Sequence, residues 1–180
     1  MADNMRYRRV LIGGATYFFT VNLADRGGRL LVEHIDDLRS AVREVRQAHP
    51  FEIVAWVVLP EHMHAVWSLP PTDSDYSTRW NQIKGGFSRC IPPGERISKS
   101  RTAKRERGIW QRRFWEHLIR DDEDLARHLD YTHYNPVKHG YVRRAVDWPF
   151  SSFHRFVDQG WLAPDWGCRD DPDGEYGERR

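Results

Sequence analysis

The sequence predicts an α+β domain in which helices pack on an antiparallel sheet. Three observations lead there. Strand-like and helix-like stretches alternate in the order β-α-β-β-α-β-α. The second and third strands are separated only by Pro60 and Glu61, a link short enough to require an antiparallel pair. The chain has 180 residues, 39% of them hydrophobic, enough for one core and one domain.

The elements follow in order. "TYFFTVNLA", Thr16 to Ala24, is aromatic and β-branched and reads as the first strand, broken by "DRGG". Leu38, Val42 and Val45 recur at helical spacing, so a helix is expected from Ile35 to Ala48, with Pro50 just past its end. "FEIVAWVVL", Phe51 to Leu59, is apolar on both faces, as in a central strand covered on two sides. "HMHAVWSL" continues as a strand, and Ser68 to Asp75, with Pro70 and Pro71, as a loop. A helix is expected from Tyr76 to Cys90, weakened by Gly85 and Gly86. Pro92 to Gly108 is basic and aperiodic and reads as a flexible loop. Ile109 to Arg120 reads as a strand. "DDEDLARHLDYTHYNP" reads as a helix with an acidic first turn, ending near Pro136. Trp148 to Val157 is expected to form a last short helix on the sheet. Residues 1–160 are thus one domain, and 161–180 an acidic tail expected to be mobile. This order is close to the ferredoxin-like plan, which many functions share.

Charge is distributed unevenly. The net charge is only +2, yet Arg79 to Arg120 holds 12 Lys or Arg against three acids. Asp165 to Arg180 holds six acids against three Arg. The basic middle points to a polyanion, and Trp80, Phe87, Trp110, Phe114 and Trp115 among the cations suit base stacking. Arg79, Lys84, Arg89, Lys99, Arg101, Lys104, Arg105, Arg107, Arg112 and Arg113 are the candidate DNA contacts. Cys90 and Cys168 form no metal-type pair and no disulfide framework, which fits a reducing cytoplasm. No signal core follows the N-terminus, and the longest apolar run, Ile53 to Leu59, is too short to span a bilayer.

His62 and His64 lie two apart on a strand and so share a face. Two imidazoles can hold a metal but need a third ligand. Tyr131 and Asn135 lie four apart on a helix, also on one face. Asn135 can offer a carbonyl oxygen, and the mixed nitrogen and oxygen set leans toward manganese, with magnesium possible. Zinc competes, with His117 or His128 completing its shell. Tyr131, one turn from such a metal, is a usable nucleophile toward phosphorus, its ordinary pKa of about 10 explaining the need for a cation. It could equally be a core tyrosine. As exposed ligands, His62 and His64 are expected to tolerate alanine without loss of the fold.

"PEHMHAVWSLP", "WQRRFWEHLIRD", "LDYTHYNPVKHGYV" and "DWPFSSFHRFV", in this order, resemble the REP-associated tyrosine transposases, a branch of the single-tyrosine HUH transposases (histidine–hydrophobic–histidine). The resemblance runs from Thr16 to Val157. It implies a ferredoxin-like HUH domain acting on single-stranded DNA beside hairpins of repeated extragenic palindromes. His62 and His64 match the two histidines, Tyr131 the nucleophile, and Asn135 the third ligand of a Mg2+ or Mn2+ ion. The implied reaction cleaves and rejoins DNA through a 5′-phosphotyrosine. The acidic tail departs from the pattern. A hairpin-binding protein without turnover and a zinc-dependent phosphodiester hydrolase are the alternatives. The expected partners are single-stranded and hairpin DNA, with no membrane, for a monomer or homodimer at the nucleoid in the cytoplasm.

Overall fold

The computed structural model describes residues 11–168. It contains β1 (Thr16–Asn22), α1 (Leu30–Glu33), α2 (Ile35–Ala48), β2 (Glu52–Val58), β3 (His62–Ser68), α3 (Tyr76–Cys90), α4 (Lys99–Ala103), β4 (Trp115–Leu118), α5 (Asp122–Lys138) and α6 (Phe153–Asp158), with a 3₁₀ turn at Ala145–Asp147. The strands form one four-stranded sheet in the order β2-β3-β1-β4, with every neighbouring pair antiparallel. This is the α+β, ferredoxin-like arrangement expected from the element order.

Side-chain alternation divides the sheet into two faces. Tyr17, Phe19 and Val21 of β1, with Met63, Ala65 and Trp67 of β3, face α2 and α3 and form the main core. α2 contributes Leu38, Ala41 and Val45, and α3 contributes Tyr76, Trp80, Ile83 and Phe87 at helical spacing. Trp67 stacks on Trp80 with ring centroids 4.1 Å apart. Asp75 caps α3 by accepting from the Thr78 amide, a contribution of about 1 kcal/mol. Gly86 is what lets α3 meet α2. A Cβ there would stand 3.0 Å from the Ala41 Cβ, so the glycine that weakens the helix in isolation permits its packing.

The other face carries α5. Phe18, Ala55, Val66 and Tyr131 are buried together, with Leu125 and Leu129 against them. Asp121 caps this helix by accepting from the Asp124 amide. α5 does not stop before Pro136. It runs through to Lys138 and closes with the His139 amide on the Asn135 carbonyl. A proline this near the end costs one hydrogen bond but leaves the final turn intact.

Several expectations are corrected. β2 is an edge strand, not a central one. Its two apolar faces are covered by α2 and α5, and part of its outer edge pairs with Phe150 to Ser152, so the helix expected from Trp148 begins only at Phe153. Pro92 to Gly108 is not a bare loop. It contains α4, and Arg107 pairs with Glu95 while donating to the carbonyls of Ser88, Ile91 and Pro92. The strand expected over 109–120 is interrupted. Residues 109–111 pair with the end of β1, and regular pairing resumes only at Trp115. Residues 161–168 turn back on α6, with the Trp166 ring 5.8 Å from Phe153. The tail beyond 168 lies outside the described residues. No helix among those described is long and apolar enough to cross a membrane.

His133, on the back of α5, is 1% exposed, with Nε2 on the Ser152 hydroxyl and its ring against Phe156. Burial, helped by the Arg155 charge, pushes its imidazole down to about 4. The folded state keeps this ring neutral while the unfolded chain protonates it near 6.5. Stability is therefore full above pH 6.5 and lost as pH falls toward 4, on the order of 3 kcal/mol from this group. Urea denaturation at pH 7.5 and 4.5 checks this. His133→Gln is expected to lose roughly one proton's worth of the pH dependence.

Candidate functional site

The paired histidines project from β3 toward α5. Register fixes this: His64 lies opposite Thr20 and His62 opposite Asn22, on the same face as Phe18 and Val66. Their ring centroids are 5.0 Å apart. Both residues are 0% exposed, so the expectation of exposed ligands is corrected: they lie beneath α5.

Each ring is held by one nitrogen. His62 Nδ1 lies 2.9 Å from Glu61 Oε1, and His64 Nδ1 lies 3.0 Å from Thr20 Oγ1. Both Nε2 atoms are buried without a hydrogen-bond partner among the described residues, as are both amide atoms of Asn135. A buried polar group left in that state costs about 1–3 kcal/mol. Four such atoms belong to these three side chains.

Helix geometry brings the amide to the histidines. The Tyr131 ring lies 5.0 Å from the His64 ring, and the His139 ring 5.0 Å from the His62 ring. Asn135 lies four residues, about one turn, from each of Tyr131 and His139 along the chain. Burial first, then the nearby His62, His139, Lys138 and Arg26, pushes the His64 imidazole well below its ordinary range. It is thus neutral and able to donate a lone pair. Burial pushes the Glu61 carboxyl up, but the hydrogen bond and charge of His62, together with the bond from the Tyr141 hydroxyl, outweigh it and hold Glu61 at about 2. Two imidazole nitrogens and an amide oxygen suit a divalent cation of intermediate softness. Beside them stands a phenol, with the Lys138 ammonium 4.7 Å from its ring centroid.

His117 and His128 do not join this layer. With Asp124 they form a separate group whose candidate ligand atoms lie within 4.8 Å of one another. The two rings stack at 4.6 Å and 17°, so their in-plane lone pairs do not converge on one point. Asp124 already accepts from His117 and from the Arg120 backbone and side chain. This group ties β4 to the start of α5.

The basic segment is rearranged by folding. Arg79 is 3% exposed and donates to Asp73 and to the carbonyls of His49, Pro50 and Asp75, so it is a structural cation. Trp80, Phe87, Trp110 and Phe114 are core residues, correcting the expectation that they stack bases. Lys84, Arg89, Arg101, Arg105, Arg107 and Arg112 line a cleft of about 530 Å³ that contains one acid, Glu106. Within it, Arg101 and Arg107 are largely committed to backbone carbonyls, and Lys84 to the Gln111 carbonyl. Arg89, Lys99, Lys104, Arg105, Arg112 and Arg113 remain exposed. Sequence reasoning missed Thr20, Glu61, Lys138 and Tyr141. "PEHMH" and "NPVKHGYV" held three of them in view, whereas Thr20 emerges only from strand register.

Paired histidines on the central strand of an antiparallel sheet, facing a tyrosine on the covering helix, define the HUH class of DNA-processing folds. Residues 15–133 match the family described as "Transposase IS200 like". A REP-associated tyrosine transposase of Escherichia coli (strain K12) is 48% identical over 173 residues, covering 96% of each chain. A Haemophilus influenzae protein named to the same group is 50% identical over 166 residues, covering 92% of this chain and 94% of the relative. A solved structure of a REP-associated tyrosine transposase bound to a REP hairpin is 47% identical, with TM-score 0.82, covering 97% of this chain and 98% of that one. The chain therefore belongs to the IS200-like transposases, in their REP-associated tyrosine branch. The family match ends at 133, before Asn135, Lys138 and Tyr141.

Proposed function

We propose that this chain is a metal-dependent transposase that cleaves and rejoins single-stranded DNA beside hairpins of repeated extragenic palindromes, working at the nucleoid in the cytoplasm. The observation that carries the reading is the Tyr131 ring set against His64, one helical turn from Asn135, in a layer of buried and unpartnered donors. Similarity to a relative whose structure holds a REP hairpin supports the substrate class.

His62 Nε2, His64 Nε2 and Asn135 Oδ1 would hold the cation, Mg2+ or Mn2+, which when bound polarises a phosphate oxygen. Tyr131 supplies the nucleophile. Its oxygen bonds to phosphorus, the bond from phosphorus to the 3′ oxygen breaks, and the DNA 5′ end stays on the enzyme. The phenol gives up a proton and the departing 3′ oxygen gains one, so none is consumed overall. Attack by a second 3′-hydroxyl on the phosphotyrosine reverses the sequence and joins the new ends. The energy of the broken bond is kept in the covalent link, and no nucleotide cofactor is needed. The test is incubation with a hairpin carrying labelled single-stranded flanks and Mn2+ or Mg2+. A labelled protein band on a denaturing gel is expected. Cleavage to a free 5′-phosphate without such a band would replace this reading with a hydrolase.

The exposed cations around the cleft are assigned to DNA phosphates. Replacing Arg89, Arg105 and Arg112 by Gln is expected to flatten the slope of log K against log salt by about two to three units. Arg79→Gln is expected instead to lower the melting temperature, since it removes a buried guanidinium that pairs with Asp73 and satisfies backbone carbonyls.

A further inference from the structure

We propose that Glu61 and Tyr141 are positioning residues for the cation, forming a hydrogen-bond chain that ties the exit of the nucleophile helix to the first histidine. The inference rests on the metal reading above and assigns roles to two residues outside the ligand set.

Glu61 is 6% exposed, in the three-residue link between β2 and β3. A carboxylate buried there is costly unless it is paired. Three groups meet it. His62 Nδ1 lies 2.9 Å from Oε1, the Tyr141 hydroxyl donates to Oε2 at 3.1 Å, and the Arg26 guanidinium lies 3.9 Å away. An ionised carboxylate only accepts, so the His62 proton sits on Nδ1 and the lone pair on Nε2, the atom left buried and unpartnered. His64 is held differently. Its Nδ1 meets a hydroxyl, which carries no charge and can donate or accept. The two imidazoles are therefore unequal, and His62 is the stronger donor because a full negative charge backs it.

Tyr141 reaches Glu61 because the chain reverses immediately after α5. Gly140 takes φ 72°, a left-handed value suited to glycine. The Tyr141 ring then rests 5.3 Å from Trp148, whose Nε1 donates to the Val58 carbonyl at the end of β2. The tyrosine is thus anchored to the same link that carries Glu61. A shift at the end of α5 is transmitted through two hydrogen bonds to a metal-facing ring on β3.

The test uses the full-length protein, with Mn2+ binding measured by calorimetry and single-turnover hairpin cleavage measured across Mn2+ concentrations. Glu61→Gln is expected to weaken Mn2+ binding by about 10- to 100-fold. Tyr141→Phe is expected to cause a smaller loss in the same direction. In both, cleavage should return to near the wild-type rate at saturating Mn2+, and hairpin affinity without metal should be unchanged. Unchanged Mn2+ affinity in both variants would overturn the proposal, as would a rate deficit that saturating metal does not repair. If Glu61→Gln does not fold, Tyr141→Phe, which removes one oxygen at a surface position, decides alone. Wild-type cleavage that survives complete chelation would instead remove the metal reading itself, a different result from unaltered variants of a metal-dependent wild type.

Discussion

Tyr131→Phe is expected to eliminate the covalent protein–DNA adduct, a fall of roughly 10⁴-fold or more, as when a nucleophile is removed. Folding should be spared, because the ring keeps its edge contacts with Phe18 and His64. Tyr134→Phe is expected to keep the adduct. Tyr134 points around the helix, and its ring carbon lies 3.3 Å from where a Cβ of residue 167 would sit, away from β3. The pair of variants separates two tyrosines three residues apart. Labelled single-stranded DNA, a denaturing gel and peptide mapping of the adduct give the readout. An adduct mapped to Tyr134, or one that persists in Tyr131→Phe, would reverse the assignment.

His64→Ala is expected to lose cleavage by about 10³-fold or more while retaining hairpin binding, because the exposed cations lie on other elements. Unlike an exposed ligand, this residue also has a structural cost. The ring is fully buried, stacks 5.4 Å from Phe18 and meets the Thr20 hydroxyl. Removing it opens a cavity and strands a buried hydroxyl, costing about 2–4 kcal/mol. Urea denaturation and the adduct assay on the same preparation check both effects. His64→Leu, which refills part of the space but offers no ligand atom, should recover much of the stability and little of the cleavage. Recovery of both would show that His64 acts through packing alone.

The sequence made local features legible and left relational ones obscure. Period-two spacing put His62 and His64 on one strand face, and period-3.6 spacing put Tyr131 and Asn135 on one helix face. The register and α5 agree with both. What those patterns could not supply is depth. Nothing in "HMH" says that a helix will cover it, so burial is not legible there. The run of cations at 79–113 reads as one surface, but folding turns Arg79 inward to satisfy carbonyls and commits Arg107 to Glu95. Charge counting cannot tell a guanidinium that neutralises a turn from one that awaits a phosphate. Trp80 and Phe87 follow the same rule: their helical spacing is a core signature that reading by proximity to arginines obscured. β2 looked central because both its faces are apolar, yet face burial and edge position are independent properties of a strand.

That edge has a consequence for how the molecule is made. The outer side of β2 is closed by a partner drawn from far along the chain: the Trp56 amide donates to the Ser152 hydroxyl 96 residues away, and the Val58 amide to the Phe150 carbonyl. During synthesis from the N-terminus, the sheet can assemble before this closing segment leaves the ribosome. Until then, open amides line a strand of Ile, Val, Ala and Trp, a template for pairing with another nascent chain. Genetic truncations in this region therefore carry a hazard unrelated to chemistry. A chain ending short of Trp148 keeps His62, His64, Tyr131 and Asn135 in its sequence but loses the lock on its own sheet. Its first failing would be insolubility, with lost turnover only a by-product.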